Sequence, residues 1–534
     1  MRPGPRFLRS VVLLLAAVLW FALGPWVLVA GMLALAVPSV RRWLRPTRKV
    51  VLAWVAVLLV AAAAVVLLPD GRLPIPPGAG MLVTPSYVGR PATPHPIALD
   101  LPQHPGLAPN GRSSMHDDAW ASDAYASAGP LGRSPEVDSA WYGVEECATL
   151  AFDAVGRLVG LCGTWSGPRL HVLDPVTMRP LASRTLPRRT RAGGAKPWAN
   201  LCAGAYFYLD AEDRAVVATT DRRVLVVRTH DALVRPTLRT ETSYDLTGQV
   251  PAADCLVALM PDWGNRIWFV TRLGRVGYVD PATGSAQVLA LDEQIANSFA
   301  VGADGGVYVV TVAALYRLTA TAGGPEIAWR AAYDRGSVQK PGQLSRGSGT
   351  TPTLMPGGLV AITDNAEPRM HVQFYGASDG RLVCQAPVFA AGRSASENSL
   401  VSVGDGVVVE NNDGYASPLS VLLGRSTTGG LVRVDIHGAA CRVVWTSHES
   451  APSSVAKVSL ATGLVYAYTK RRSAWGASAW YLTALDARTG RTVWAVRTGL
   501  GAAFNNHYAE IALAPDHSAY VATLAGLVHV RDTR

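Results

Sequence analysis

Ala484-Leu485-Asp486-Ala487-Arg488-Thr489-Gly490-Arg491-Thr492-Val493-Trp494 decides the fold: an apolar strand runs into an Asp-x-x-Thr-Gly turn and leaves it as another strand. The Asp side chain can accept a bond from the backbone two residues on, and the closing Gly tolerates positive φ. Such a turn therefore joins two antiparallel strands tightly. Val279-Asp280-Pro281-Ala282-Thr283-Gly284 repeats the pattern, and Leu173-Asp174-Pro175-Val176-Thr177-Met178 repeats it with Met in the last place. Outward from each turn the same unit recurs at about fifty residues: a polar residue, an apolar strand, a Gly/Asp turn, then further strands.

A four-stranded unit of this kind cannot bury both faces alone, so units stack radially around an axis until the ring closes. Unit starts fall at Glu146-Cys147, Asn200-Leu201, Asp254-Cys255, Asn297-Ser298, Thr350-Thr351, Asn398-Ser399, Ser453-Ser454 and Asn506-His507. The expected fold is an all-β, eight-bladed β-propeller, preceded by N-terminal transmembrane helices. Seven blades is the alternative, because the unit opening at Thr350 is the weakest. The last unit ends at its third strand, Leu527 to Asp532, so its fourth must come from elsewhere. The segment around Asp138 to Gly143, just ahead of the first blade, is the expected donor, which would zip the ring shut and remove an exposed edge.

Residues 1–68 read as a membrane anchor. Apolar stretches from Val11 to Val40, interrupted by Gly24-Pro25, and from Val50 to Leu68 are each long enough for a bilayer of about 30 Å. Arg2, Arg6, Arg9, Arg41, Arg42, Arg45, Arg48 and Lys49 supply eight units of the formal charge of +10, with no acid among them. The alkaline balance is thus a topology signal, and the propeller has no electrostatic case for nucleic acid. A basic loop kept in the cytoplasm places the propeller on the extracytoplasmic side of the cell membrane. The basic N-terminus competes with that orientation unless Gly24-Pro25 folds the first stretch into a hairpin. Residues 69–135 are rich in Pro, Gly and Ser and read as an extended, weakly packed stalk, with Met81 to Val88 able to dock as a stray strand. Residues 136–534 form the propeller.

Ligand sites in propellers lie where innermost strands begin and where the loops from second to third strands emerge. Here that face carries Glu146, Asn200, Asp254, Asn297, Asn398 and Asn506 at blade starts, and Asp364, Asn365, Glu410, Asn411 and Asn412 in loops. Carboxylate and amide oxygens in such a ring suit a hard cation such as calcium. The same residue types also cap turns, and that reading stays open beside the first. Cys147 and Cys162 flank one hairpin in register, so they are either a disulfide of an exported domain or small buried side chains. Trp445 and Trp494 are expected as wedges between blades.

The Ala484 to Trp494 string resembles the tryptophan-docking repeat of quinoprotein dehydrogenases and of the non-enzymatic propellers related to them. That resemblance implies the superfamily's propeller. For its enzymes it implies pyrroloquinoline quinone, a catalytic Asp beside calcium and, in many members, a vicinal Cys-Cys pair, which this chain lacks. The series Glu146, Asn200, Asp254 and Asn297 also looks like the calcium shell of lactonase and gluconolactonase propellers, which have six blades. The expected function is a membrane-tethered propeller that binds a partner protein or small ligand at its channel mouth without turnover. An extracytoplasmic calcium-dependent, lactonase-like hydrolase or a quinoprotein-like dehydrogenase is the alternative.

Overall fold

The computed structural model describes residues 5–45, 47–164, 167–188, 202 and 205–533. Eight antiparallel sheets follow one another along the chain and form an eight-bladed β-propeller. Blade 1 is Glu146–Phe152, Leu158–Thr164, Gly167–Leu173 and Pro180–Thr185. The unit opening at Thr350 is a regular blade 5, with strands Thr353–Met355, Leu359–Thr363, His371–Gly376 and Leu382–Pro387, which rules out seven. Inner strands such as Ile511–Leu513 are buried throughout because neighbouring blades cover both faces. Outermost strands such as Thr240–Asp245 stay largely in solvent.

The Asp-x-x-Thr-Gly turns explain how blades lock together. Asp486 accepts from the Arg488 amide on Oδ1 and from the Gly490 amide on its carbonyl, each at 2.8 Å, and Gly490 sits at φ +67°. A Cβ on Gly490 would lie 2.4 Å from the ring of Trp445 in blade 6. The indole N–H of Trp445 donates to the Ala487 carbonyl at 2.9 Å, so the wedge is held at both ends. Trp329 of blade 4 meets Gly380 of blade 5 in the same way and donates to the Ala377 carbonyl at 3.0 Å. Trp494 is fully buried against Gly132.

Blade 8 has three strands of its own, Ile511–Leu513, Ala519–Thr523 and Gly526–Arg531. Its fourth is Glu136–Trp141, paired antiparallel to the third with Ala140 opposite Leu527. The Asp532 carboxylate then takes the amides of Leu131 at 2.7 Å and Arg133 at 2.9 Å, binding the chain's end to the strand's approach.

The segment read as a stalk is extended but not weakly packed, and this corrects the sequence reading. Gly71 and Leu73 bond to Trp141 along the outer edge of blade 8, Tyr87–Gly89 adds a strand to blade 7, and His95 and Ile97 bond to Thr462 and Leu460. Composition misled here because Pro- and Gly-rich chain cannot form its own core, yet it can borrow hydrogen bonds from strand edges already in place.

Disulfides join Cys147 to Cys162 within blade 1, Cys202 to Cys255, and Cys384 to Cys441 between the outer strands of blades 5 and 6. The N-terminal part holds helices α1 (Pro5–Leu23), α2 (Trp26–Ala36), α3 (Pro38–Leu44) and α4 (Arg48–Leu67). Among the described residues no single helix is long and apolar enough to cross a membrane; α2 and α3, bent by 104° at their junction, meet that test together. The α1–α2 corner touches the ring: Trp26 Nε1 donates to the Ala474 carbonyl at 2.6 Å, and the Gly80 amide donates to the Phe21 carbonyl at 2.9 Å.

Candidate functional site

Innermost strands all begin on one face of the ring and end on the other. Where they end, residues 112–125 form a collar. The amides of Phe152, Leu209, Val301, Leu354, Ser402 and Val458 donate in turn to the carbonyls of Arg112, Ser113, Ala119, Trp120, Ser122 and Asp123, over 2.7 to 3.0 Å. The collar therefore bonds blades 1, 2, 4, 5, 6 and 7 in ring order and stops the axis from that side. Behind the collar the axis is filled by buried polar side chains such as Lys457, Asp117 and Glu510, which make a closed polar chamber.

Lys457, at the start of the innermost strand of blade 7, projects into this chamber fully buried. Its ammonium lies 2.6 Å from Asp123 Oδ1 and 3.4 Å from Asp117 Oδ2, and it also donates to the Met115 carbonyl. Burial alone would strip its proton, but the Asp117 and Asp123 carboxylates hold it in place and raise its pKa. For Asp123 burial acts upward, and Lys457 and His116 outweigh it, leaving the carboxyl below its usual range. His116 Nδ1 sits 3.2 Å from Asp123 Oδ1, and Ser399 donates to the other oxygen. Asp118, bonded by Ser122 and by the Trp120 amide at 2.7 Å, is pushed up to about 7 by burial.

Nearer the strand starts the polar residues bond to one another. Asn398 Nδ2 donates to Glu410 Oε2 at 2.6 Å and to the Ser454 carbonyl; Ser454 Oγ donates to Glu410 Oε1 at 2.9 Å. Asn412 accepts from the Glu397 amide at 2.9 Å and donates to the Pro452 carbonyl at 3.2 Å. Glu397 Oε2 accepts from the Leu344 amide at 2.8 Å, and its Oε1 is buried without a partner among the described residues. Burial pushes both Glu397 and Glu410 up to about 8, so each is largely protonated at neutral pH. Glu146 and Glu510 are also driven well above the carboxylate range by burial. Tyr508 roofs this end by donating to the Gly342 carbonyl at 2.8 Å, and its ring meets Tyr415 edge-on at 5.5 Å.

The predicted residues thus separate. Glu410 and Asn398 bond to each other, Asn412 bonds the Glu397 amide and Pro452 carbonyl, Asn297 is buried near the strand start, and Asn506 donates to the Ala509 and Ala522 carbonyls at 2.8 and 2.9 Å. Asp254 caps its own blade: Oδ1 takes the amides of Cys255 and Leu273 at 2.8 and 2.9 Å, and Oδ2 faces Arg275 at 3.4 Å. Asn411 and Asn365 bond loop backbone, and Asp364 is paired with His371 at 2.7 Å. Asn200 lies outside the described residues. Calcium held jointly by Glu146, Asp254 and Asn297 does not fit this arrangement, because both Asp254 oxygens are committed elsewhere. Among the described residues the one close trio of metal-type side chains is Glu145, Cys162 and His171. There Cys162 is spent in a disulfide, and Glu145 pairs with His171 and Arg169, each at 2.8 Å.

Sequence reasoning missed Lys457, Asp117, Asp123, His116, Glu397 and Glu510. The available signals were a lysine inside the apolar run Val455-Ala456-Lys457-Val458 and the dense polar string Ser113 to Asp123 within supposed linker.

No family model matches the chain. An uncharacterized protein of Archaeoglobus fulgidus is 30% identical over 322 residues, which are 53% of this chain; the chain spans 62% of that relative's length. Among solved structures, quinohemoprotein alcohol dehydrogenase from Comamonas testosteroni aligns with a TM-score of 0.54 at 11% identity, over 81% of this chain and 82% of that one. The quinohemoprotein alcohol dehydrogenase ADHIIG of Pseudomonas putida HK5 aligns at 0.50 and 10% identity, over 79% and 80%. At such identity the likeness concerns the fold.

Proposed function

We propose that this protein is a membrane-tethered β-propeller scaffold that binds a partner protein or polar small ligand without turning it over. One observation carries the reading: Asn398 and Ser454 donate to Glu410, and Asp254 is committed to its own blade, so these oxygens are not aimed together at a reacting atom. With Lys457 held by the Asp123 carboxylate, Asp117 pushed up to about 8 by burial beside it, and the axis stopped by the collar, the chamber acts as an internal brace. A calcium-dependent hydrolase or quinoprotein-like dehydrogenase would instead need the buried oxygens left without a partner among the described residues, Glu146 Oε1, Glu397 Oε1 and Glu510 Oε1 among them, to converge on one ion.

The tether rests on residues 1–68, where Leu14, Leu33, Leu52 and Leu58 each leave more than 60% of their surface without a protein partner. Three disulfides support an extracytoplasmic ring, because such bonds persist in oxidising compartments.

The test is thermal unfolding of the full chain in detergent, with and without millimolar calcium. The scaffold reading expects the same midpoint in both. A calcium-dependent rise that Glu146→Gln abolishes would overturn it in favour of the calcium enzyme. Loss of the chain from membranes on alkaline carbonate washing would overturn the tether.

A further inference from the structure

The α1–α2 corner meets the ring on a particular face. Ala474 and Gly476, which it touches, lie in the loop from second to third strand of blade 7, on the side where innermost strands begin. From there contacts run sideways into the corresponding loop of blade 6: the Ser473 amide donates to the Gly424 carbonyl at 2.9 Å. On this rim large apolar side chains face outward without cover. Leu419 is 64% exposed, Leu423 67%, Trp475 52%, and Leu82 beside α1 77%.

The uncompensated charges on the same rim are basic, since its acid Asp413 is held by Arg393 at 2.9 Å. Arg425 and Arg472 are exposed and, among the described residues, pair with no carboxylate: Arg425 bonds the carbonyls of Leu419 and Leu422, and Arg472 that of Thr427. The nearby acid Glu449 is already held by Arg471 at 2.8 Å. The opposite turn of blade 7 carries Asp486, Arg488 and Thr489 and no large exposed apolar side chain. Apolar knobs ringed by unpaired arginines, continuous with the docking site of apolar helices, match a bilayer surface in both hydrophobicity and sign.

We propose that the strand-start face of blades 6 and 7 lies against the anionic phospholipid surface of the membrane that holds residues 5–67, with Leu419, Leu423, Trp475 and Leu82 in the headgroup layer. This rests on the tether proposed above. It turns the roofed end of the chamber, at Tyr508 and Gly342, toward the lipid and leaves the collar end facing bulk solvent.

Photo-crosslinking of the full chain in phosphatidylglycerol-containing nanodiscs tests it, using Leu423→p-benzoylphenylalanine and Trp475→p-benzoylphenylalanine, with Thr489→p-benzoylphenylalanine on the opposite face of blade 7. The expected result is lipid adducts at positions 423 and 475 in at least about tenfold excess over 489, reduced when Arg425→Glu and Arg472→Glu are added. Equal yields at all three positions, in a chain that resists carbonate washing, would overturn the face assignment and leave the tether standing. A chain that carbonate releases would overturn the tether and this inference with it.

Discussion

Lys457 Nζ and Asp123 Oδ1 stand 2.6 Å apart, both side chains fully buried, and they join residues 334 positions apart in sequence. The pair fixes the collar to blade 7 at the point where the axis closes. Lys457→Met should therefore cost about 3–5 kcal/mol of stability, because the Asp123 carboxylate would be left buried without its cation. Denaturant unfolding of the full chain measures it, and adding Asp123→Asn and Asp117→Asn to Lys457→Met should recover part of the loss. A single variant as stable as the parent would contradict the burial.

Stability should fall as pH rises. Glu397 and Glu410 titrate near 8 in the folded ring, above the usual range of about 4.3 for unfolded glutamate. Between those values the folded state holds more protons than the unfolded, so each group removes stability at up to about 1.4 kcal/mol per pH unit. The contribution is complete below the unfolded value and lost once pH passes the folded one. Glu410→Gln should flatten the decline in melting midpoint between about pH 5 and pH 8. An unchanged slope would mean that Glu410 is ionised throughout.

Two glycines at similar φ should respond differently to the same change. Gly284 at φ +72° has nothing within 4 Å of the point where a Cβ would stand, whereas Gly490 at φ +67° would set its Cβ 2.4 Å from Trp445. Gly284→Ala should cost about 1 kcal/mol, the penalty of left-handed backbone. Gly490→Ala should cost about 1–3 kcal/mol more, since the indole must move out of the joint. Equal losses in the two variants, read by denaturant unfolding, would remove the packing role of that joint.

Deleting residues 135–142 removes the fourth strand of blade 8 and its pairing with Gly526–Arg531. The melting midpoint of the whole ring should drop, because an opened blade exposes Val528 and Val530, which are now fully buried. Unchanged thermal unfolding of the deletion would show that closure lies elsewhere.

The ring was legible in the sequence because its signals are short-range. Asp486 and Gly490 are four residues apart, and the early end after Asp532 pointed back to the strand before Glu146. The collar was not legible, since Asp123 and Lys457 share no local period and a Pro-rich segment looks the same whether solvated or strapped to strand edges. For the site, the bonding state of the polar residues at blade starts depended on neighbours from other blades, as with Asn398 and the Ser454 carbonyl. Asp254 illustrates the limit: its partner Arg275 lies one hairpin away, so a capping role and a ligand role have the same sequence.

The collar also sets a timetable for biogenesis. Residues 112–125 leave the ribosome before every strand that will bond them, from Phe152 to Val458, and the borrowed strand Glu136–Trp141 waits until Gly526–Arg531 has been made. At a synthesis rate of about 5–20 residues per second, the N-terminal arm spends tens of seconds without its partners. Blades can stack and take up the collar one after another as they emerge, but the ring stays an open arc until Gly526–Arg531 meets Glu136–Trp141. Closure thus joins two strands, Glu136–Trp141 and Gly526–Arg531, whose synthesis is separated by nearly the whole ring.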